Sequence, residues 1–428
     1  MRAVLWLLAL FAVAAASALF AGNNQGTITL FWPPYRLDLS LNLVLLLLAL
    51  GFATVYAALR GLAALLALPH EAQRWRLQQK ERAMHAALLD ALAQFMAGRF
   101  LRSRKAALLA LAQEAALSQA GEQLPHSRPL RALAHLIAAE DSHALQDQRQ
   151  RALHLQQALE QAPNHGNQHT QALREGIQLR AARWALEDRD ARSSLDWLAA
   201  LPQGAARRTL ALRLRLKATR HSQQTQEALD TARLLAKHRA FSATAAQSIV
   251  RGLATELLDS AHDPLQLQQV WQSLEPTERT MPELAVHAAQ RLSLLGGEAA
   301  QVRHWLLPAW PLLQQYPCPL SDAWALKLVR SLEASLHDID SAWLARIETA
   351  AQAHPQQVYL QYLAGVACMQ RQLWGKAQQL LAACSQQLPD ASLRRRAWLH
   401  LATLAEQRGD TAAANAAWRQ AAQAESSA

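Results

Sequence analysis

The chain has 428 residues, room for about three domains at roughly 150 residues each. Ala and Leu dominate its 51% hydrophobic content, Val (11) and Ile (6) are scarce, and Gly (15) and Pro (16) are few, which excludes a large sheet, a parallel-sheet enzyme, a β-sandwich and a disordered chain. The net charge of +10 asks for an anionic neighbour (nucleic acid, anionic lipid or an acidic partner), and the three Cys form no disulfide framework but fit a reducing compartment.

Residues 3–21, AVLWLLALFAVAAASALFA, carry no charge. As a helix they reach about 28 Å, close to the bilayer core. A cleaved signal sequence with Ala16-Ser17-Ala18 as its processing site is the alternative for this segment. A second uncharged run, 39–59, lies between Asp38 and Arg60. The intervening loop, 22–38, holds turn formers and the aromatics Phe31, Trp32 and Tyr35, which fit an interfacial belt. Residues 1–68 therefore read as a transmembrane hairpin.

Basic residues set its orientation. Only Arg2 precedes the first run and only Arg36 lies in the loop, whereas Arg60, Arg74, Arg76, Lys80 and Arg82 follow the second. The positive-inside rule puts both termini in the cytoplasm and the loop outside. Between 60 and 105 nine basic residues face three acidic ones, so this stretch carries an excess of six out of the chain's ten. A basic helix here is expected at anionic lipid, or as a plain topology signal. Nucleic acid is not expected, because no aromatic interleaving and no binding motif accompany the charge.

From 69 onward the apolar period is helical, with breaks at Pro125 and Pro129, 163–166, 202–204, 262–264, 276–282, 308–319, Pro355 and Pro389. Most segments between breaks suit a helical hairpin, and a chain of such hairpins is an α-solenoid. The C-terminal part, 355–428, carries the clearest repeat. Counted from Val358, Gly365 falls at position 8, Cys368 at 11, Trp374 at 17, Ala377 at 20, Leu381 at 24, Cys384 at 27 and Pro389 at 32. Counted from Arg395, Trp398 falls at 4, Leu401 at 7, Ala402 at 8, Ala405 at 11, Gly409 at 15, Ala414 at 20, Trp418 at 24 and Ala421 at 27. Small residues at 8, 20 and 27 with bulky ones at 4, 7, 17 and 24 form the packing pattern of the tetratricopeptide (TPR) repeat. Gln361, Ala364, Thr411 and Ser426 depart from it. Upstream, 69–264 holds looser repeats, with Gly98, Arg99 and Phe100 at one inter-helix turn and Trp184 and Trp197 one helix apart. Residues 265–354 read as helical repeats without a clear register. The expected class is all-α: a two-helix transmembrane hairpin followed by a TPR-like α-solenoid.

Motifs for chemistry are few. No glycine fingerprint, Walker loop, G-x-S-x-G, H-E-x-x-H, C-x-x-C or EF-hand loop occurs. His165 and His169 have a metal-ligand spacing, but Pro163 and Gly166 set them at a loop. Pro317-Cys318-Pro319 contains a Cys-Pro dipeptide, the short pattern of haem-responsive proteins, and a haem or porphyrin contact would fall on Cys318. Cys368 and Cys384 sit at repeat-packing positions. Most of the 13 Trp are expected to pack between repeats. No catalytic residue, metal ligand or resident cofactor is expected.

The order of features resembles the HemY family of proteobacterial inner-membrane TPR proteins associated with haem biosynthesis. The resemblance is carried by GTI through Arg60, by RAMHAALLDAL from Arg82, by WGKAQQLLAAC from Trp374, and by AWLHLATLAEQRGDTAAANAAWRQA from Ala397. It implies an inner-membrane scaffold acting in or coordinating late haem formation, with late haem-pathway enzymes as protein partners. A flavin protoporphyrinogen oxidase shares the HemY name, but its N-terminal strand and glycine fingerprint are absent, so that activity is not transferred. The competing readings are an envelope-assembly TPR scaffold and a direct haem or porphyrin binder.

Overall fold

The computed structural model describes residues 2–23, 26–119, 126–163, 168–315 and 317–426. Helix α1 is Arg2–Asn23. The loop after it is not irregular. Strands β1 (Thr27–Trp32) and β2 (Tyr35–Ser40) form an antiparallel hairpin across Pro33-Pro34. Thr27, Ile28 and Thr29 favour extended backbone, and apolar and polar residues alternate from Thr27 to Leu30 and along β2. This small hairpin is the one departure from an all-α chain among the described residues.

Helix α2 runs unbroken from Leu41 to Met96. Ser40 caps it, accepting a hydrogen bond from the Leu43 amide at 3.3 Å. The boundary expected at 68/69 therefore lies inside a single helix. Helices α3 (Phe100–Gln119), α4 (Ser127–Ala144), α5 (Gln148–Gln161) and α6 (Gln168–Glu187) follow, with α2 packed on α3, α3 on α4 and α4 on α5.

The chain divides into two compact units, Met1–Leu173 and Arg174–Ala428, with the division inside α6. The boundaries expected at 264/265 and 354/355 fall within the second unit. Its further elements are α7 (Ala191–Ala199), α8 (Gln203–Ala206), α9 (Thr209–His221), α10 (Thr225–Lys237), α11 (Ala243–Asp259), α12 (Pro264–Ser273), α13 (Pro276–Arg279) and α14 (Pro282–Leu294). Then come α15 (Ala299–Trp305), α16 (Trp310–Leu313), α17 (Asp322–Ala334), a 3-10 turn at Leu336–Asp338, α18 (Ser341–Ala353), α19 (Val358–Gln370), α20 (Trp374–Ser385), α21 (Ala391–Gln407) and α22 (Thr411–Ser426).

A recurring turn marks the repeats. Gly98, Gln146, Arg189, Gln223, Arg239, Gly296, Gln372 and Gly409 all have φ between +53° and +78°. At each, the next amide reaches back five residues to a helix carbonyl, as Asp147 N to Ser142 O (2.8 Å), Leu373 N to Cys368 O (2.9 Å) and Asp410 N to Ala405 O (3.0 Å). This is the Schellman end, which satisfies carbonyls that the helix leaves open. Asp147, Asp190 and Asp410 then cap the following helix through their carboxylates. Five of the eight turns use a residue other than Gly, which hid them from a search for glycine.

The second unit has a large core cluster running from Leu212 to Ala417 and a smaller one of Leu179, Ala182, Leu198, Leu201, Ala205, Ala211 and Leu214. Where α15 and α16 shorten, tryptophans fill the space. Trp271 stacks on Trp305 at 4.8 Å, and Trp310 meets Trp343 edge-on at 5.7 Å. Helices of seven and four residues, interrupted by Pro308 and Pro311, erase the repeat register there. The first unit has smaller clusters: Ala91, Ala106, Ala107 and Ala138 in one, Met84, Leu117 and Leu130 in another.

Candidate functional site

Among the described residues one helical segment, Leu41–Ala63, is long and apolar enough to cross a membrane, with a mean hydropathy of 2.2 and none of it buried. It is the first part of α2, so the span and the first helix packed in the array are one rod. The adjoining hairpin is two-faced. Register pairs Ile28 with Leu39, Leu30 with Leu37 and Trp32 with Tyr35 on one face, and Thr29 with Asp38 and Phe31 with Arg36 on the other. Trp32 and Tyr35 are about 70% exposed (69% and 72%). The Arg36 guanidinium lies 5.3 Å from the Phe31 ring centre and 3.6 Å from the Asp38 carboxylate. An isolated two-stranded hairpin is marginal in water, so an apolar face left open beside a span suits a bilayer interface.

The basic residues after the span are spread along and around α2. Arg60, Arg76, Lys80 and Arg82 are exposed; the Arg74 side chain lies outside the described residues. Arg60 is inside the apolar segment. At 1.5 Å per residue, Lys80 and Arg82 stand about 26 and 29 Å beyond Ala63 along the helix. At 100° per residue, Arg76 and Lys80 fall on the side opposite Arg60 and Arg82. A single stripe laid on a flat lipid surface is not formed.

The C-terminal repeats explain their residue choices directly. Gly365 sits where an added Cβ would lie 2.7 Å from Leu381 Cγ and 2.9 Å from its Cδ2, so α19 and α20 touch through the missing side chain. Ala377, Leu381, Cys384, Leu401, Ala402 and Ala414 are buried, and Trp374 and Trp398 are half-buried against the core. Pro389 is exposed in the α20–α21 turn, and Gly409 takes φ +76° between α21 and α22. Trp418 departs from the packing expectation: it is 43% exposed, and its indole N–H donates to Glu406 Oε1 at 2.8 Å. It lies on α22, the last helix described.

Helix α19 is enclosed on nearly every side; Tyr359, Leu360 and every residue from Tyr362 to Cys368 are buried. Over it, α17 and α21 are joined by charged side chains. Arg396 Nη1 donates to Glu333 Oε2 at 2.9 Å, His400 Nε2 lies 3.6 Å from Glu333 Oε1, and Arg330 reaches Ser392 and Asp390. Burial pushes the Glu333 carboxyl up, but His400, Arg396 and Tyr362 more than offset it and hold it below its ordinary value. Burial, then the Glu333 charge, raises the Tyr362 phenol. The inner surface of this repeat is thus filled by the chain itself.

The cysteines are not assembled into a centre. Cys318 is half-buried against the core, its thiol 3.5 Å from Leu312 O. Burial pushes Cys384 up to about 12. Cys368 rises to about 12 through burial and the neighbouring Glu348, which Lys376 also pairs at 2.8 Å. His165 lies outside the described residues, and His169 is exposed at the start of α6. No group of three metal-ligating side chains occurs among the described residues.

Sequence reading missed the polar interior of the first unit. His135 and His154 meet Nδ1 to Nδ1 at 3.3 Å with ring centres 5.5 Å apart, so the two nitrogens face each other and either can donate, according to the tautomer. Burial, then His154 and Arg131, lowers His135 to about 4, with Glu160 opposing. Asp141 is fully buried, and burial raises it to about 6 against the pull of Ser103 and Arg104. Buried Glu114 is held by Ser127 and by both sides of the Arg131 fork. In the sequence these partners are 13, 17 and 19 residues apart on separate helices, and no spacing rule finds them. Two clefts are also present. One of about 970 Å³ lies among α10, α11 and α13, floored by Leu234, Val250 and Met281 and crossed by the Arg233–Glu278 pair at 2.6 Å. One of about 460 Å³ lies at the α2–α3 turn.

Comparison with known proteins matches residues 26–146 to the family model described as HemY protein N-terminus. No curated protein matches the chain. Among solved structures, the chain is similar to one in the APC/C hetero-tetramer Cut9–Hcn1, at 13% identity and a TM-score of 0.28, covering 79% of this chain and 66% of that one. It is also similar to one in the Naa15/Naa10 complex bound to HypK-THB, at 13% identity and a TM-score of 0.26, covering 77% of this chain and 57% of that one.

Proposed function

With membership of the HemY family, carried by residues 26–146, as the premise, we propose that this chain is an inner-membrane-anchored TPR scaffold that coordinates late steps of haem biosynthesis through protein–protein contacts. The observation that carries the anchoring is the continuity of α2. Its first 23 residues are membrane-capable and its last turns pack as the opening helix of the helical array. A helix shared between span and array holds the array at a set height and orientation, which a flexible linker does not. The haem assignment comes from the family resemblance, and the role requires no catalytic group in this chain.

In this reading α1 and the Leu41–Ala63 segment cross the membrane as a pair, the β-hairpin lies on the outer surface, and residues after Ala63 are cytoplasmic. Arg60 supplies the interfacial charge, and the more distant basic residues serve protein contacts. Affinity purification of the full chain from solubilised membranes, with porphyrins measured in a deletion strain, tests the proposal. Late haem enzymes in the eluate and an altered porphyrin pool are the expected result. Normal porphyrins with no haem enzyme retained would overturn it.

A further inference from the structure

We propose that the corner where α2 turns into α3 is a docking site for an acidic amphipathic helix of a partner protein. Gly98, at φ +71°, turns the chain sharply. Around the turn Met96 is 77% exposed and Leu101 58%, and Leu108 follows on the outer face of α3. Arg99, Arg102 and Lys105 are exposed between them, and among the described residues no carboxylate pairs with any of the three. Arg104, by contrast, turns inward to Asp147 at 3.4 Å. The corner also carries the cleft of about 460 Å³, closed on its far side by Leu145 of the α4–α5 turn.

Apolar side chains at turn spacing, interleaved with unpaired cations beside a cleft, complement a helix with Leu on one face and Glu beside it. A phosphate backbone would leave Met96 and Leu101 unused. Lipid is out of reach. The corner lies 33 helical residues beyond Ala63, about 50 Å along the helix, whereas surface charge is screened within about 8 Å. The proposal rests on the scaffold reading for the protein nature of the occupant.

The test uses the full chain in neutral phosphatidylcholine nanodiscs and a fluorescein-labelled helical peptide of about 18 residues, five turns, with Leu and Glu on adjacent faces. A Leu/Lys peptide of the same pattern is the control. Expected is binding of the Glu peptide, at least tenfold weaker in Arg99→Glu/Arg102→Glu/Lys105→Glu and in Leu101→Ser/Leu108→Ser. The charge-reversed variant should gain the Lys peptide. Reversal of exposed basic residues elsewhere, Lys217, Lys237 and Arg371, should leave binding unchanged. Equal binding of the Glu peptide by the corner variants overturns the proposal. So does loss of affinity for phosphatidylglycerol vesicles in place of peptide, which would make the corner a lipid contact. No haem enzyme enters this assay, so it fails or succeeds separately from the co-purification above.

Discussion

Two buried groups in the first unit titrate in opposite senses. Asp141 stands at about 6 in the folded chain, above its ordinary 3.8. Between about 4 and 6 the folded state holds a proton that the unfolded state has released, so this contribution to stability falls as pH rises through that window. His135 stands at about 4, below its ordinary 6.5. There the unfolded state holds the extra proton, so its contribution rises with pH from about 4 to 6.5 and is lost on acidification. The slopes oppose between about 4 and 6, with Glu140, Arg104, His154, Arg131 and Glu160 setting the local field. Asp141→Asn removes one of them. At pH 7.5 the variant is expected to be more stable than the parent by about 1–3 kcal/mol, because a buried unpaired carboxylate is gone. Its stability should then fall monotonically from pH 6.5 to 4. Hydrogen exchange of the α4 amides across that range measures both, and an unchanged pH profile in the variant refutes the assignment.

Helix pairs set the next scale. In α19 and α20 the close approach depends on Gly365, whose missing Cβ is replaced by Leu381. Gly365→Ala puts a methyl within 3 Å of two Leu381 carbons and 3.3 Å from its backbone nitrogen, so the helices must part. The expected cost is about 1–3 kcal/mol, the range for overpacking a filled core. The same substitution in a Leu381→Val background should cost less, because the colliding branch is shortened; additive losses in the thermal unfolding of the two variants would show that the contact does not limit the approach. The register of this pair was legible because small and bulky positions follow a fixed spacing. The enclosure of α19 was not. It depends on Arg396, His400 and Glu333, which come together from helices 63 residues apart.

At the scale of the molecule, the two units are built from different cores. The second has a large cluster from Leu212 to Ala417, rich in Leu and Trp, beside a smaller one from Leu179 to Leu214. The first buries mostly alanine in small clusters, together with Glu114, Asp141, His154 and Ser142. Alanine contributes little apolar area and buried polar groups cost stability where they lack partners. Amides in α3 to α5 should therefore exchange through openings of lower free energy than those in α14 to α19. A single opening free energy shared by both units, measured by native-state hydrogen exchange in rising denaturant, would contradict this.

Composition and period by themselves determined the helical class, the apolar runs and the C-terminal repeats, because each is written in neighbouring residues. Most of the inter-helix turns escaped the same reading, since tertiary packing holds Gln146, Arg189, Gln223, Arg239 and Gln372 in a backbone state that glycine would announce. Only the tertiary structure decided that the second run and the array share one helix, because neither Arg60, which ends the uncharged run, nor Pro69 breaks α2. It also decided where the excess charge goes. The basic residues after the apolar segment are close in sequence, but helical geometry carries all but Arg60 well beyond that segment and around the rod. The anionic neighbour implied by +10 then becomes, on this reading, mainly protein.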